Sequence, residues 1–168
     1  MHGVEQFIDS STVMFLKLML AMVLGAVIGT ERAILAHQAA GTRTFGLVSL
    51  GACLLVIVGS YVDTNYLGVV NLNPTHIASA VITGIGFLGG GLIIFHRDSL
   101  HGATTAAGLW IAAALGIATG FGLYSIAFFT TVLALIMLTG VWYVEDRFKH
   151  WFNEVEHRNN GQSDILKG

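Results

Sequence analysis

The sequence predicts an all-α polytopic membrane protein: five transmembrane helices packed through Gly/Ala stripes. Three observations lead there. Hydrophobic residues make up 54% of the chain and charged residues only 11%, against roughly 25% charged in soluble domains. The apolar residues gather into five runs, each long enough or nearly long enough to cross a bilayer. Within those runs, glycine and alanine recur at helical spacing, the pattern that lets helix backbones approach closely in lipid. Continuous apolar runs of this length are helices rather than barrel strands, because a spanning segment must satisfy its own backbone.

The predicted spans are Val13–Gly29, Thr44–Tyr61, Ile77–Phe95, Thr104–Thr119 and Gly122–Tyr143. The first and fourth are short and lean on interfacial residues. Together they form a transmembrane domain over 1–144, followed by a short tail over 145–168 that reads as a cytoplasmic amphipathic segment. Trp142, Tyr143, Phe148, Trp151 and Phe152 read as an interfacial aromatic belt. Seven of the eight Lys and Arg residues fall on one side of this scheme. The positive-inside rule then places the N-terminus outside and the C-terminus in the cytoplasm. The first ten residues hold Glu5 and Asp9 and no Lys or Arg, so they do not read as a signal peptide.

Composition also excludes. A single cysteine, Cys53, rules out an internal disulfide or cysteine-cluster metal site. No basic patch interleaved with aromatics points to nucleic acid. The seven His residues lack the spacing of a zinc site. No carboxylate falls in the middle of a span, and neither a phosphate-binding loop nor a catalytic set is present. The reading is a non-enzyme without a cofactor.

The small-residue stripes assign the packing. Thr104, Gly108, Ala112, Gly116 and Gly120 stand four apart in span four, as do Ala21, Gly25 and Gly29 in span one, and Gly86 and Gly90 in span three. Spans one, three and four are therefore expected to form the tight core. Gly84 to Gly91 holds five glycines in eight positions, Gly89 among them, and two readings are open for it. It packs helices, or it unwinds and offers carbonyls to a cation, as broken transporter helices do. Lys17 continues the stripe of span one; it either snorkels to the interface or lines an outward cavity.

The charged rim at the cytoplasmic ends carries the remaining candidates. Glu31 and Arg32 close span one, Arg43 and Thr44 open span two, and Thr104 and Thr105 open span four. A Glu31–Arg43 ion pair clamping the first hairpin, and Thr104 or Thr105 as helix caps, are the structural readings. A polar vestibule beneath the glycines is the functional one. Gly41-Thr42-Arg43-Thr44 and Gly102-Ala103-Thr104-Thr105 echo each other at the starts of spans two and four, which fits either a duplication of helical hairpins or chance.

Gly84-Ile85-Gly86-Phe87-Leu88-Gly89-Gly90-Gly91, then Gly102-Ala103-Thr104-Thr105-Ala106-Ala107 and Trp110-Ile111-Ala112-Ala113-Ala114-Leu115-Gly116, resemble the MgtC/SapB family of bacterial inner-membrane proteins. Gly29-Thr30-Glu31-Arg32 and Arg43-Thr44 match its other motifs. Gly90 stands where the family commonly has alanine, and Ala103 and Gly108 where leucine and threonine are common. The sequence is similar to the short, membrane-only members, without the cytoplasmic domain of the MgtC branch. The resemblance implies a role in adaptation to low magnesium, through contacts with the bilayer, with a second copy as a homo-oligomer (dimer), or with other membrane proteins. A small transporter or channel for a divalent cation such as magnesium is the alternative. A binder of lipid or a small solute at the Glu31/Arg43/Thr105 rim is a third reading.

Overall fold

The structure is a computed structural model; it describes residues 2–34, 40–65, 74–96, 99–140 and 143, with side chains over 11–34, 40–62, 76–95, 100–140 and 143. The described residues form five α-helices: α1 (His2–Ile34), α2 (Thr42–Asn65), α3 (Pro74–Leu92), α4 (Ala103–Gly120) and α5 (Tyr124–Leu135). A two-stranded ribbon, β1 (Ile94–His96) and β2 (Ser99–His101), joins α3 to α4, with Phe95 opposite Leu100. The chain divides into two compact units, Met1–Ala134 and Leu135–Gly168. In the second, a five-residue π-helical segment, Ile136–Gly140, is described. The predicted tail, with Phe148, Trp151 and Phe152, lies outside the described residues, as does Trp142.

Among the described residues, three segments are long and apolar enough to span a bilayer: Ser11–Ile34, Thr42–Val62 and Ala103–Gly120. The apolar stretches His76–Leu92 and Tyr124–Gly140 are shorter. The third predicted span ran to Phe95, but the helix stops at Leu92 and the apolar run continues as ribbon. Hydropathy reads both alike; the backbone does not. An open ribbon leaves strand edges unpaired, which hydrocarbon does not tolerate, so the ribbon marks the edge of the apolar layer. Gly102 makes the turn from ribbon to α4 with φ 86°, and a Cβ there would strike the Leu92 carbonyl oxygen.

In lipid, water does not drive helices together; close packing and hydrogen bonds do. The tightest packing joins α1, α2 and α4. A Cβ on Gly25 would lie 2.6 Å from both the Phe45 carbonyl oxygen and Ser49 Cβ, and one on Gly29 would lie 2.7 Å from the Gly41 carbonyl oxygen. From the other side, a Cβ on Gly116 would strike the Ser49 carbonyl oxygen, and one on Gly120 would lie 2.8 Å from Val56. Phe45, 0% exposed, sits over Gly29 of α1 and Gly108 of α4. The glycine stripes of α1 and α4 thus both rest on α2, through Phe45, Ser49, Ala52 and Val56. This corrects the expectation that α3 would join α1 and α4 in the tight core.

α3 packs onto α2 and α4 through a single stripe. Among its described side chains only Val81, Ile85 and Gly89, one residue every four, are buried; Val81 and Ile85 pack with Ala52 of α2 and Ala113 of α4. A Cβ on Gly89 would sit 3.6 Å from Ala106 Cβ of α4, while Gly84, Gly86, Gly90 and Gly91 meet nothing within 4 Å. The helix runs unbroken through all of them; the Gly84 and Gly86 carbonyls are committed to intrahelical bonds, and the Gly90 carbonyl accepts from the Ile93 N–H at 3.3 Å.

Lys17 is half-buried. Its Nζ donates to the Gly120 carbonyl oxygen at 3.0 Å. The end of α4 shows why that oxygen is free. The Phe121, Gly122 and Leu123 N–H groups donate to the Ile117, Thr119 and Ala118 carbonyls at 3.1, 3.0 and 2.8 Å, with Gly122 at φ 80°. This Schellman arrangement leaves the Gly120 carbonyl over. A lysine ammonium supplies the bond and complements the negative end of the α4 dipole. We expect Lys17→Met to lower unfolding stability in mixed micelles by about 1–2 kcal/mol, the cost of an orphaned carbonyl, and Lys17→Arg to recover most of it.

Candidate functional site

One end of the bundle, here the basal end, gathers the end of α1 and the starts of α2 and α4. It carries most of the polar residues singled out in the sequence, but they do not converge on one site. Glu31 and Arg32 pair with each other. Arg32 Nη2 donates to Glu31 Oε1 at 2.6 Å, and its Nε donates to Oε2. Both side chains are 7% exposed. Adjacent residues on a helix do not face each other, so the two side chains must fold toward one another to close this fork. The expected Glu31–Arg43 clamp is not formed: the Glu31 carboxylate is already engaged on both oxygens, and Arg43 and Thr44 are exposed. What ties α1 to α2 here is a pair of hydroxyls. Thr30 Oγ1 donates to the Ala26 carbonyl at 2.8 Å, so Thr42 is the donor in the 3.0 Å bond between Thr30 and Thr42.

The threonines of α4 do not cap it. The N-cap is Gly102, with no side-chain bond; Thr104 is exposed and Thr105 buried. Gly102 and Gly41 do share one feature of the sequence echo. Each carbonyl accepts the N–H four residues on, from Ala106 at 2.9 Å and Phe45 at 3.1 Å. Trp110 is exposed, Gly116 is in the core, and Gly84, Gly86 and Gly90 lie on open sides of α3. Among the described residues, no three His, Cys, Asp or Glu side chains come together as a metal site.

Two features escaped the sequence reading. The Ser49 hydroxyl, fully buried where α1 and α4 close on α2, has no hydrogen-bond partner among the described residues. Ser79 and Thr83 extend the Gly86–Gly90 pair, and all four side-chain positions are exposed. Their spacing of four, three and four is legible in the sequence and forms a heptad-like seam of small residues.

An all-α bundle with long apolar helices is a membrane protein, and the comparisons make it a particular kind. The MgtC family pattern matches residues 18–147: the chain belongs to the MgtC family. YhiD of Escherichia coli, whose given name proposes it as a magnesium transporter, is 38% identical over 125 residues, covering 73% of this chain and 58% of that protein. An uncharacterized protein of Haemophilus influenzae is 35% identical over 158 residues, covering 92% of this chain and 64% of its own length. Protein MgtC of Brucella abortus is 40% identical over 115 residues, 68% of this chain and 45% of that protein. The chain therefore spans less than two thirds of each of these relatives. No solved structure matches it.

The ion-pair assignment separates two variants. Glu31→Ala leaves the Arg32 guanidinium buried and unpaired, a loss of about 3–5 kcal/mol. Arg43→Ala, at an exposed position outside the pair, should change stability by no more than about 0.5 kcal/mol. Unfolding of both variants in mixed micelles measures the difference.

Proposed function

We propose that this chain is a non-enzymatic, multi-pass protein of the bacterial inner membrane that serves magnesium homeostasis by pairing its third helix with another transmembrane helix. The other helix belongs to a second copy of the chain or to another membrane protein. The observation that carries this reading is the outward seam of α3. Ser79, Thr83, Gly86 and Gly90 stand on the side away from Val81, Ile85 and Gly89, and Cβ atoms on Gly86 and Gly90 would meet nothing. Phe87, 84% exposed, projects beside them with Thr83, Gly84, Gly90 and Gly91 as its neighbours at i±3 and i±4. One helix thus carries a large knob ringed by small positions, and two such surfaces fit each other. The magnesium link rests on family membership and on the name given to YhiD. The excess of Lys and Arg at the predicted inner loops supports an outside N-terminus and a cytoplasmic C-terminus.

A cation path is the competing reading, favoured by the YhiD name. It would need oxygen ligands, and the Gly84 and Gly86 carbonyls lie within a continuous helix.

One reconstitution distinguishes the two. Donor- and acceptor-labelled chains in liposomes should transfer energy between copies, or to a co-purified partner. Gly86→Leu with Gly90→Leu should lower that transfer at least severalfold without unfolding the protein, since both positions are open. The same liposomes should show no Mg²⁺ entry above empty vesicles. Unchanged transfer in the double variant, or Mg²⁺ entry that the variant abolishes, would overturn the proposal in favour of a transporter.

A further inference from the structure

A second open surface lies on the other flank of α3. α3 leans across the bundle. At its start Ile77 presses on Gly59 of α2, where a Cβ would collide with it; near its end Gly89 approaches Ala106 of α4. α2 and α3 therefore part toward the basal end, and a groove of about 620 Å³ fills the wedge. Its walls include Leu47, Gly51 and Leu55 of α2 and Val81, Gly84 and Leu88 of α3, all without charge. Gly51 and Gly84 open it further, since neither would bring a Cβ within 4 Å of anything. From Leu47 to Val58 the groove follows α2 for eleven residues, about 17 Å. That exceeds half of the roughly 30 Å hydrocarbon core.

A charge stands on α2 just beyond the lining of the groove. Arg43, Leu47 and Gly51 stand at i, i+4 and i+8 along α2, so Arg43 lies one turn below the basal end of the lining. Helical side chains lean toward the N-terminus, which here means away from the hydrocarbon. Arg43 is exposed and forms no ion pair among the described residues, because Arg32 occupies Glu31. A guanidinium at this depth matches the phosphate of a lipid headgroup in geometry and in charge.

We propose that the α2–α3 groove is a phospholipid site, with the headgroup phosphate on Arg43 and one acyl chain laid along Leu47, Gly51 and Leu55 against Gly84 and Leu88. An apolar wedge with a cation just beyond its lining complements a molecule with an anionic head and an apolar tail. This site is separate from the Gly86–Gly90 seam and stands whether or not that seam pairs.

The full chain, purified in detergent with added phosphatidylglycerol, tests the proposal by native mass spectrometry. We expect one retained phosphatidylglycerol per chain. Arg43→Gln should weaken retention about tenfold, the effect of one charge-assisted contact. Gly51→Leu with Gly84→Leu should abolish retention with Arg43 still in place, by filling the groove. Val23→Leu, on an exposed side of α1, should retain lipid like the parent. Circular dichroism confirms that each variant is folded, and the open surroundings of all three substituted groove positions favour that. Retention unchanged in either groove variant would overturn the site. So would a lipid-free dimer that the double glycine variant converts to monomer, because a second copy would then occupy the wedge.

Discussion

The contact on which this structure depends is the double approach to α2 at Ser49. Gly25 of α1 closes on its Cβ from one side and Gly116 of α4 on its carbonyl oxygen from the other. Neither approach survives a side chain. In a bilayer, where apolar burial gains little over lipid, this closeness of backbones is itself the source of attraction. Its cost is visible in the Ser49 hydroxyl, buried without a partner at about 1–3 kcal/mol. The hydrogen bonds at the two ends lock the register set in the middle. Thr42 bonds Thr30 at the basal end and Lys17 bonds Gly120 at the other, so α1 cannot slide along either neighbour without breaking one of them.

Once α1 and α4 are committed to α2, α3 is left with a single narrow stripe for the bundle. Val81, Ile85 and Gly89 serve that contact, and the rest of the helix turns to the surroundings. Two different surfaces result. One flank, with α2, makes an apolar wedge ending near a cation; the outer side is a seam of small residues beside a protruding phenylalanine. Both surfaces follow from the same displacement; Gly84 borders both, and their other residues differ.

The sequence discloses the class of fold and the small-residue faces of α1 and α4, because a four-residue period of glycine and alanine has few other meanings in an apolar run. It does not disclose what those faces meet. The receiving side on α2 is Phe45, Ser49, Ala52 and Val56, which are mixed in size and carry no stripe. The glycines of α3 are as regular as those of α1, but periodicity gives a helix a face without saying which way the face points. The same limit governs the rim. Glu31 and Arg43 look complementary across a loop, yet Arg32 is nearer and its fork fills the carboxylate. Lys17 is legible as an exception, but its partner is a main-chain oxygen 103 residues away, freed by a turn around Gly122 whose role depends on backbone geometry. The family resemblance, by contrast, is written in local motifs and was legible in full.

Intrachain cross-linking gives the most direct test of where α3 faces. In a Cys53→Ser background, Gly89→Cys with Ala106→Cys places two Cβ atoms at about the 3.6 Å found here, within the range of a disulfide. The account predicts rapid oxidation of this pair within one chain, and no such bond when Cys replaces Gly86 or Gly90 instead of Gly89. Cross-linking of position 86 or 90 to position 106, with position 89 left reduced, would turn the glycine seam inward and contradict the account.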